Sequence, residues 1–216
     1  SSPPTLGRPW AIERAATKEG AMTTPMPCIW HGKAARLRAV EPEDWRAFSR
    51  WDLDTEMARS AYFIPFPRSE EAARKWTAEL ADREYPSHEF RWVIENVDRE
   101  AVGTLNTHHC DPRNGTFQYG IAISSEHRRR GYARDAIELV LAYFFRELRY
   151  QKANVSVYAF NDASFALHRR LGFREEGRLR RMIYTNGDYH DEIILGITAE
   201  EFDQPREATE REVKDD

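Results

Sequence analysis

The strongest chemical signal is one continuous run. Ile121, Ala122 and Ile123 lead through Ser124-Ser125-Glu126-His127 into Arg128-Arg129-Arg130-Gly131-Tyr132-Ala133-Arg134. The apolar residues fit a strand, the basic run with its glycine fits a loop, and a long helical repeat follows at once. The first N–H groups of a helix have no intrahelical acceptor, and the helix dipole places positive charge at the same end. Such an end binds anions, and small residues here suit a diphosphate. Gly131 lets the backbone approach closely, and Ala133 keeps the first turn uncluttered. By charge alone, Arg128 to Arg130 fit a solvated basic face equally well. His108-His109-Cys110-Asp111 also holds ligand-type side chains. Adjacent strand residues point to opposite faces and chelate poorly, so no metal is expected there.

The chain has 216 residues, and the ordinary figure of roughly 100–200 residues per domain favours one full domain. Lys+Arg 32 against Asp+Glu 36 gives a net charge of −4, the wrong sign for a nucleic-acid binder. Hydrophobic residues at 41% with 12% aromatics can fill a core, which excludes wholesale disorder. No window approaches a membrane span, and Ser1 to Gly20 lack the apolar centre of a signal peptide. Cys28 and Cys110 make no disulfide framework, so the expected setting is cytoplasmic. Residues 1–33 read as an N-terminal arm, tag-derived or docked on a partner subunit, with Met22 as a second plausible start. Residues 34–203 form the expected domain, and 204–216 a polar tail.

The elements that must hold these residues alternate. Ala35–Val40 reads as a strand, and Glu41-Pro42-Glu43-Asp44 opens a helix with acids at its positive end. Ser69 caps a helix running to about Arg83. Phe90–Glu95, Ala101–His108 and Thr116–Ser124 are strands, the last two joined by a hairpin through Asp111-Pro112-Arg113-Asn114-Gly115. In Arg134–Leu148, Ala136, Ile137, Val140, Leu141, Phe144 and Leu148 recur at helical spacing. Ala153–Phe160 is a strand and Ala163–Leu171 a helix, and Phe173–Tyr184 pairs with Tyr189–Ile197 across Asn186-Gly187. The fold class is α+β (mixed α/β), with a largely antiparallel sheet.

Downstream of the basic loop lie Asn161, Ser164, His168 and Leu171-Gly172-Phe173. Together the two segments resemble the GCN5-related N-acetyltransferase (GNAT) superfamily. Its acetyl-CoA loop, Q/R-x-x-G-x-G/A, is matched by Arg128, Gly131 and Ala133, and its later N-x-x-S/A and L-G-F by Asn161, Ser164 and Leu171 to Phe173. The branch most resembled is that of spermidine and ribosomal-protein N-terminal acetyltransferases, whose N-G-x-Y-x-D hairpin is similar to Asn186–Asp191. The resemblance spans about Ala34 to Ile197.

It implies a sheet splayed between its fourth and fifth strands, with acetyl-CoA in the opening. The pantetheine would pair with Ile121, Ala122 and Ile123, and amides from Arg128 to Arg134 would hold the diphosphate, facing Asn161 and Ser164. His168 stands where many relatives place a tyrosine thought to protonate the departing thiolate, a task open to an imidazolium. The other reading of His168 is packing or contact with CoA. Gln118 stands where relatives often carry glutamate, and an amide can only orient an amine or water. The base must then lie among His108, His109, Asp111 and His190, or be water. Asp52, Asp54 and Glu56 fall in a loop that helps form the acceptor site in the superfamily, where acids suit a cationic amine or stand as a solvated acidic loop. Trp51, Tyr62, Phe63 and Phe66 fit either core or substrate wall. The expected activity is acetyl transfer to a small amine, a polyamine first, or to a protein N-terminus, by a chain able to form a homodimer. A non-catalytic acyl-CoA sensor is the alternative.

Overall fold

The helix with the clearest repeat forms as its spacing dictates. In a computed structural model describing residues 28–61, 63–84 and 88–204, it runs Tyr132–Arg146 (α4). It buries Ala136, Ile137, Val140, Leu141 and Phe144. Leu148 falls just beyond its end. That apolar stripe lies on a seven-stranded sheet ordered β1-β2-β3-β4-β5-β7-β6. The strands are Arg36–Ala39 (β1), Arg91–Glu95 (β2), Ala101–Asp111 (β3), Thr116–Ile123 (β4), Lys152–Tyr158 (β5), Arg174–Thr185 (β6) and Asp188–Thr198 (β7). Phe117 of β4 stacks on Phe144 of α4 with ring centroids 4.1 Å apart, at the centre of the main core. Asp162–Arg170 (α5) closes the same core through Leu167 and the following Leu171 and Phe173.

The opposite face carries Trp45–Leu53 (α1), Thr55–Ala61 (α2) and Glu70–Ala81 (α3). Phe48, Trp51, Met57 and Leu80 pack there on Val40 and Val93, with Ala122 of β4 at the margin. Trp51 is therefore core, whereas Phe63 and Phe66 are exposed, and Tyr62 lies outside the described residues. A short helix, Ala199–Asp203 (α6), follows β7 behind a Thr198–Glu201 capping box.

β4 and β5 are parallel neighbours over only three residue pairs, Thr116–Gln118 with Lys152–Asn154. Beyond Gln118, β4 stays paired to β3 on its other side, while β5 continues beside β7. The sheet is thus splayed where expected. Tyr119 to Ile123 present a strand edge to the opening, with backbone groups that need partners.

Of the expected arm, residues 28–33 lie within the description and pack on the domain itself. Trp30 sits against Trp92 and Tyr143, at centroid distances of 5.6 and 4.6 Å. Asp135 of α4 accepts from the amides of Ala34 and Ala35 at 2.7 and 2.8 Å, tying the same segment to α4. Residues 1–27 and 205–216, where the rest of the arm and nearly all of the tail fall, lie outside the description.

Candidate active site

β4 runs into a 3-10 turn, Ser125–His127, and then into the basic loop. The turn is held from inside: His127, buried, has Nδ1 2.7 Å from Ser124 Oγ and Nε2 3.3 Å from Glu100. Arg129 has φ +62° and Gly131 φ +84°, so the chain reverses sharply just before α4. A Cβ on Gly131 would meet nothing within 4 Å. Glycine is needed there for its backbone angle, and the space beside it is open to a ligand. The first amides of α4, from Tyr132 onward, have no intrahelical acceptors, and Gly131 supplies no side-chain cap. Arg130 donates to the Glu126 carbonyl at 3.2 Å, Arg134 pairs with Glu138 at 3.1 Å, and Arg128 pairs with Glu56 at 3.0 Å.

The resemblance puts the start of α5 on the opposite wall. Asn161 caps it, its Oδ1 accepting from the Ser164 amide at 3.1 Å. His168 on that helix has no solvent exposure. Its Nδ1 lies 2.8 Å from the Ser164 carbonyl, which can only accept, so Nδ1 carries the proton. In the neutral ring Nε2 is then a bare acceptor, and it has no partner among the described residues. Burial pushes the imidazole down to about 4, against the Ser164 hydrogen bond that opposes the shift. Both features bear on the expected imidazolium acid: burial disfavours the charged form, and the neutral form carries its proton on the nitrogen turned to the Ser164 carbonyl. Tyr119, buried with its centroid 5.9 Å away, likewise has no partner for its hydroxyl among the described residues, and burial raises it well above its usual value.

Gln118 is half-buried and pairs in register with His108 of β3 and Asn154 of β5, on the face opposite Phe117. Asn154 donates to Glu176 at 3.2 Å, and Glu176 also meets Lys152 at 2.7 Å. A register shift between His108 and Asp111, with His109 at φ +48°, brings the two imidazoles together, Nδ1 to Nδ1 at 2.7 Å. The assumption of opposite faces fails at this bulge. Even so, no group of three or more ligand-type side chains able to hold a metal occurs among the described residues. Partial burial, with the neighbouring His109, lowers His108 below its ordinary value. His108 also forms the wall of a cavity of about 590 Å³, which it shares with Trp76, Leu80, Glu89, Arg91 and Asn106. Asp111 is committed to its turn, accepting from the amides of Arg113 and Asn114, and His190 stacks edge-on against Phe160.

The stretch expected as an acidic loop is instead broken by α2, whose single buried residue, Met57, gave no helical period to read. Asp52 binds Arg68 at 2.8 Å. Asp54 accepts from the Met57 amide at 3.0 Å and from the Ser125 amide and hydroxyl at 2.8 and 2.7 Å. With both its oxygens engaged, Asp54 is an anchor for the loop rather than a ligand for an amine. No helix among the described residues is long and apolar enough to cross a membrane.

Known proteins share this fold. The Vibrio cholerae spermidine N-acetyltransferase, solved in complex with CoA and spermine, superposes with a TM-score of 0.68 at 24% identity, over 78% of this chain and 97% of that one. The spermidine N(1)-acetyltransferase of Escherichia coli K12 is 27% identical over 164 residues, covering 76% of this chain and 86% of its own. The SPbeta prophage-derived uncharacterized N-acetyltransferase YokL of Bacillus subtilis is 42% identical over 174 residues, 81% of this chain and 95% of its own. Residues 35–174, from β1 to the first residue of β6, match the acetyltransferase (GNAT) domain. A match of that extent takes in both the opened strand edge and the helix start below it, and with it the chain belongs to the GNAT family as an acyl-CoA-dependent acetyltransferase.

Proposed function

We propose that this chain moves an acetyl group from acetyl-CoA to a primary amine, a polyamine or other small amine before a protein N-terminus, by direct attack in a ternary complex. The observation that carries the reading is the continuity of the Tyr119–Ile123 edge with the amides at Gly131 and the start of α4. An extended amide-bearing arm can pair with the edge while its diphosphate rests on the helix start. An amide of the edge polarises the thioester carbonyl. The neutral amine nitrogen attacks that carbon, the C–N bond forms and the C–S bond breaks. Gln118 orients the nitrogen by hydrogen bonding, and His108, its register partner, takes the released proton. A lowered imidazole is neutral at physiological pH and can accept it. The thiolate takes its proton from solvent, since His168 offers none.

Free-thiol release from acetyl-CoA with a panel of amines, and mass detection of the product, tests this reading. Acceptor-dependent thiol release with a matching mass gain of one acetyl group is expected. Tight CoA binding without turnover on any amine would refute it and favour the sensor.

A further inference from the structure

Helix α2 touches three separate parts of the cleft. Asp54, preceding it, holds the amide and hydroxyl of Ser125. Glu56, in its first turn, pairs with Arg128 at 3.0 Å. Arg59, in its last turn, donates to Thr185 Oγ1 at 3.1 Å, at the tip of the β6–β7 hairpin. The helix therefore spans the mouth of the opening, from the diphosphate loop to the far half of the sheet.

Arg128 has two competing partners: the Glu56 carboxylate and an anion seated on the amides beside it. The Glu56 side chain is 75% exposed and that of Arg128 37%, so their pair is a weak one. A diphosphate on a helix start draws on backbone donors and the dipole as well. Asp54 keeps its place in either state, because its partners are the backbone of α2 and Ser125. It fixes the first turn of α2, and so Glu56, beside the loop.

We propose that Arg128 exchanges partners during the reaction cycle: acetyl-CoA draws it from Glu56 to the diphosphate, and Glu56, thereby released, receives an ammonium group of the acceptor. This rests on the acetyl-CoA reading of the loop. The exchange leaves neither side chain unpaired, the one pair Glu56–Arg128 giving way to two, diphosphate–Arg128 and Glu56–ammonium. It favours cofactor-first binding, with each ligand raising the other's affinity. It also selects an acceptor class. The attacking nitrogen must be neutral, so the ammonium held by Glu56 is a second one, and diamines and polyamines are favoured over monoamines.

The test uses CoA titrations by calorimetry of the parent, Glu56→Gln, Arg128→Ala and the double variant, with kinetics on spermidine and butylamine. Removing the competitor tightens CoA binding by about two- to fivefold, the range an exposed ion pair supports, and has no effect once Arg128 is gone. Glu56→Gln also raises KM for spermidine by about the same factor, with kcat retained and butylamine unaffected. Equal CoA affinity for parent and Glu56→Gln, or the same gain without Arg128, overturns the exchange. Equal rises in KM for both amines overturn the assignment of the second ammonium. If neither amine is acetylated, the amine-acceptor reading fails, while the CoA titrations still decide whether Arg128 changes partner.

Discussion

Burial of His168 makes a quantitative statement about acid stability. The ring is fully buried, and its proton affinity falls from the ordinary 6.5 to about 4. Between those values the unfolded chain binds a proton that the folded chain does not. Stability from this residue is therefore complete above pH 6.5 and is lost as pH falls through about 4. Linkage gives a loss of about 2 kcal/mol by pH 5 and about 3 kcal/mol by pH 4, relative to pH 7.5. Either figure is a large fraction of the ~5–15 kcal/mol that holds a domain folded. Urea unfolding at pH 7.5 and pH 5 should show this difference in the parent, and His168→Phe should lack it. Parallel pH dependence in the two proteins, or an imidazole titrating near 6.5 by NMR, would refute the reasoning. The same variant bears on catalysis. A positioned acid contributes roughly 10²–10⁴-fold, so a turnover loss in that range at unchanged CoA affinity would restore His168 as the proton donor.

Further outcomes concern the loop and the strand pair. Gly131→Ala should cost about 1–2 kcal/mol of stability through its left-handed backbone alone, because no atom stands in the way of the methyl group. Gly131→Glu should abolish acetyl-CoA binding by setting a negative charge at the helix start, and calorimetry showing unchanged affinity would remove the loop from the site. His108→Gln should lower turnover by about 10²-fold or more if His108 is the base. In the parent, activity should fall as pH drops through a midpoint below 6.5, because only the neutral ring accepts a proton. A variant keeping that acid limb would show that it belongs to another group.

What could be read in the sequence was what neighbouring residues decide among themselves. The stripe on α4, the turn at Asn186-Gly187 and the strand–loop–helix run through Gly131 each depend on a short window, and each is present. What escaped depends on distance along the chain. Asp135 clamps the amides of Ala34 and Ala35 from about a hundred residues away, a partnership no local pattern announces. Helix α2 is too short and too polar to show a period, and only its contacts to Ser125, Arg128 and Thr185 reveal its place. The His108–His109 contact depends on a bulge, and one residue of slippage reverses which side chains share a face. His168 carries the composition of a functional residue, and only the packing of Tyr119 and Phe173 around it shows a ring without water.

The same distinction separates the two halves of the chemistry. A diphosphate is held by backbone amides, which every residue supplies, so its site needs only a glycine in the left-handed region and a helix beginning at the next residue. Both are written consecutively, and Gly131 and Tyr132 satisfy them. An acceptor amine depends on side chains, and those proposed for it, with Asn154 beside them in the sheet, come from separate elements. His108 comes from β3, Gln118 from β4, Asn154 from β5 and Glu56 from α2. Their juxtaposition is set by strand register and by one anchored helix, so a substitution at His108, Gln118 or Asn154 can change the acceptor without touching the diphosphate loop, whereas Glu56 bears on both through Arg128. Families built this way keep their cofactor and diverge in their acceptor. In this chain Gln118 stands where the resemblance leads one to expect glutamate, and in the proposed mechanism the proton passes to a neighbouring strand rather than to water. The position of His108, across from Gln118 and beside a cavity large enough for a small amine, is what makes that transfer physically reasonable.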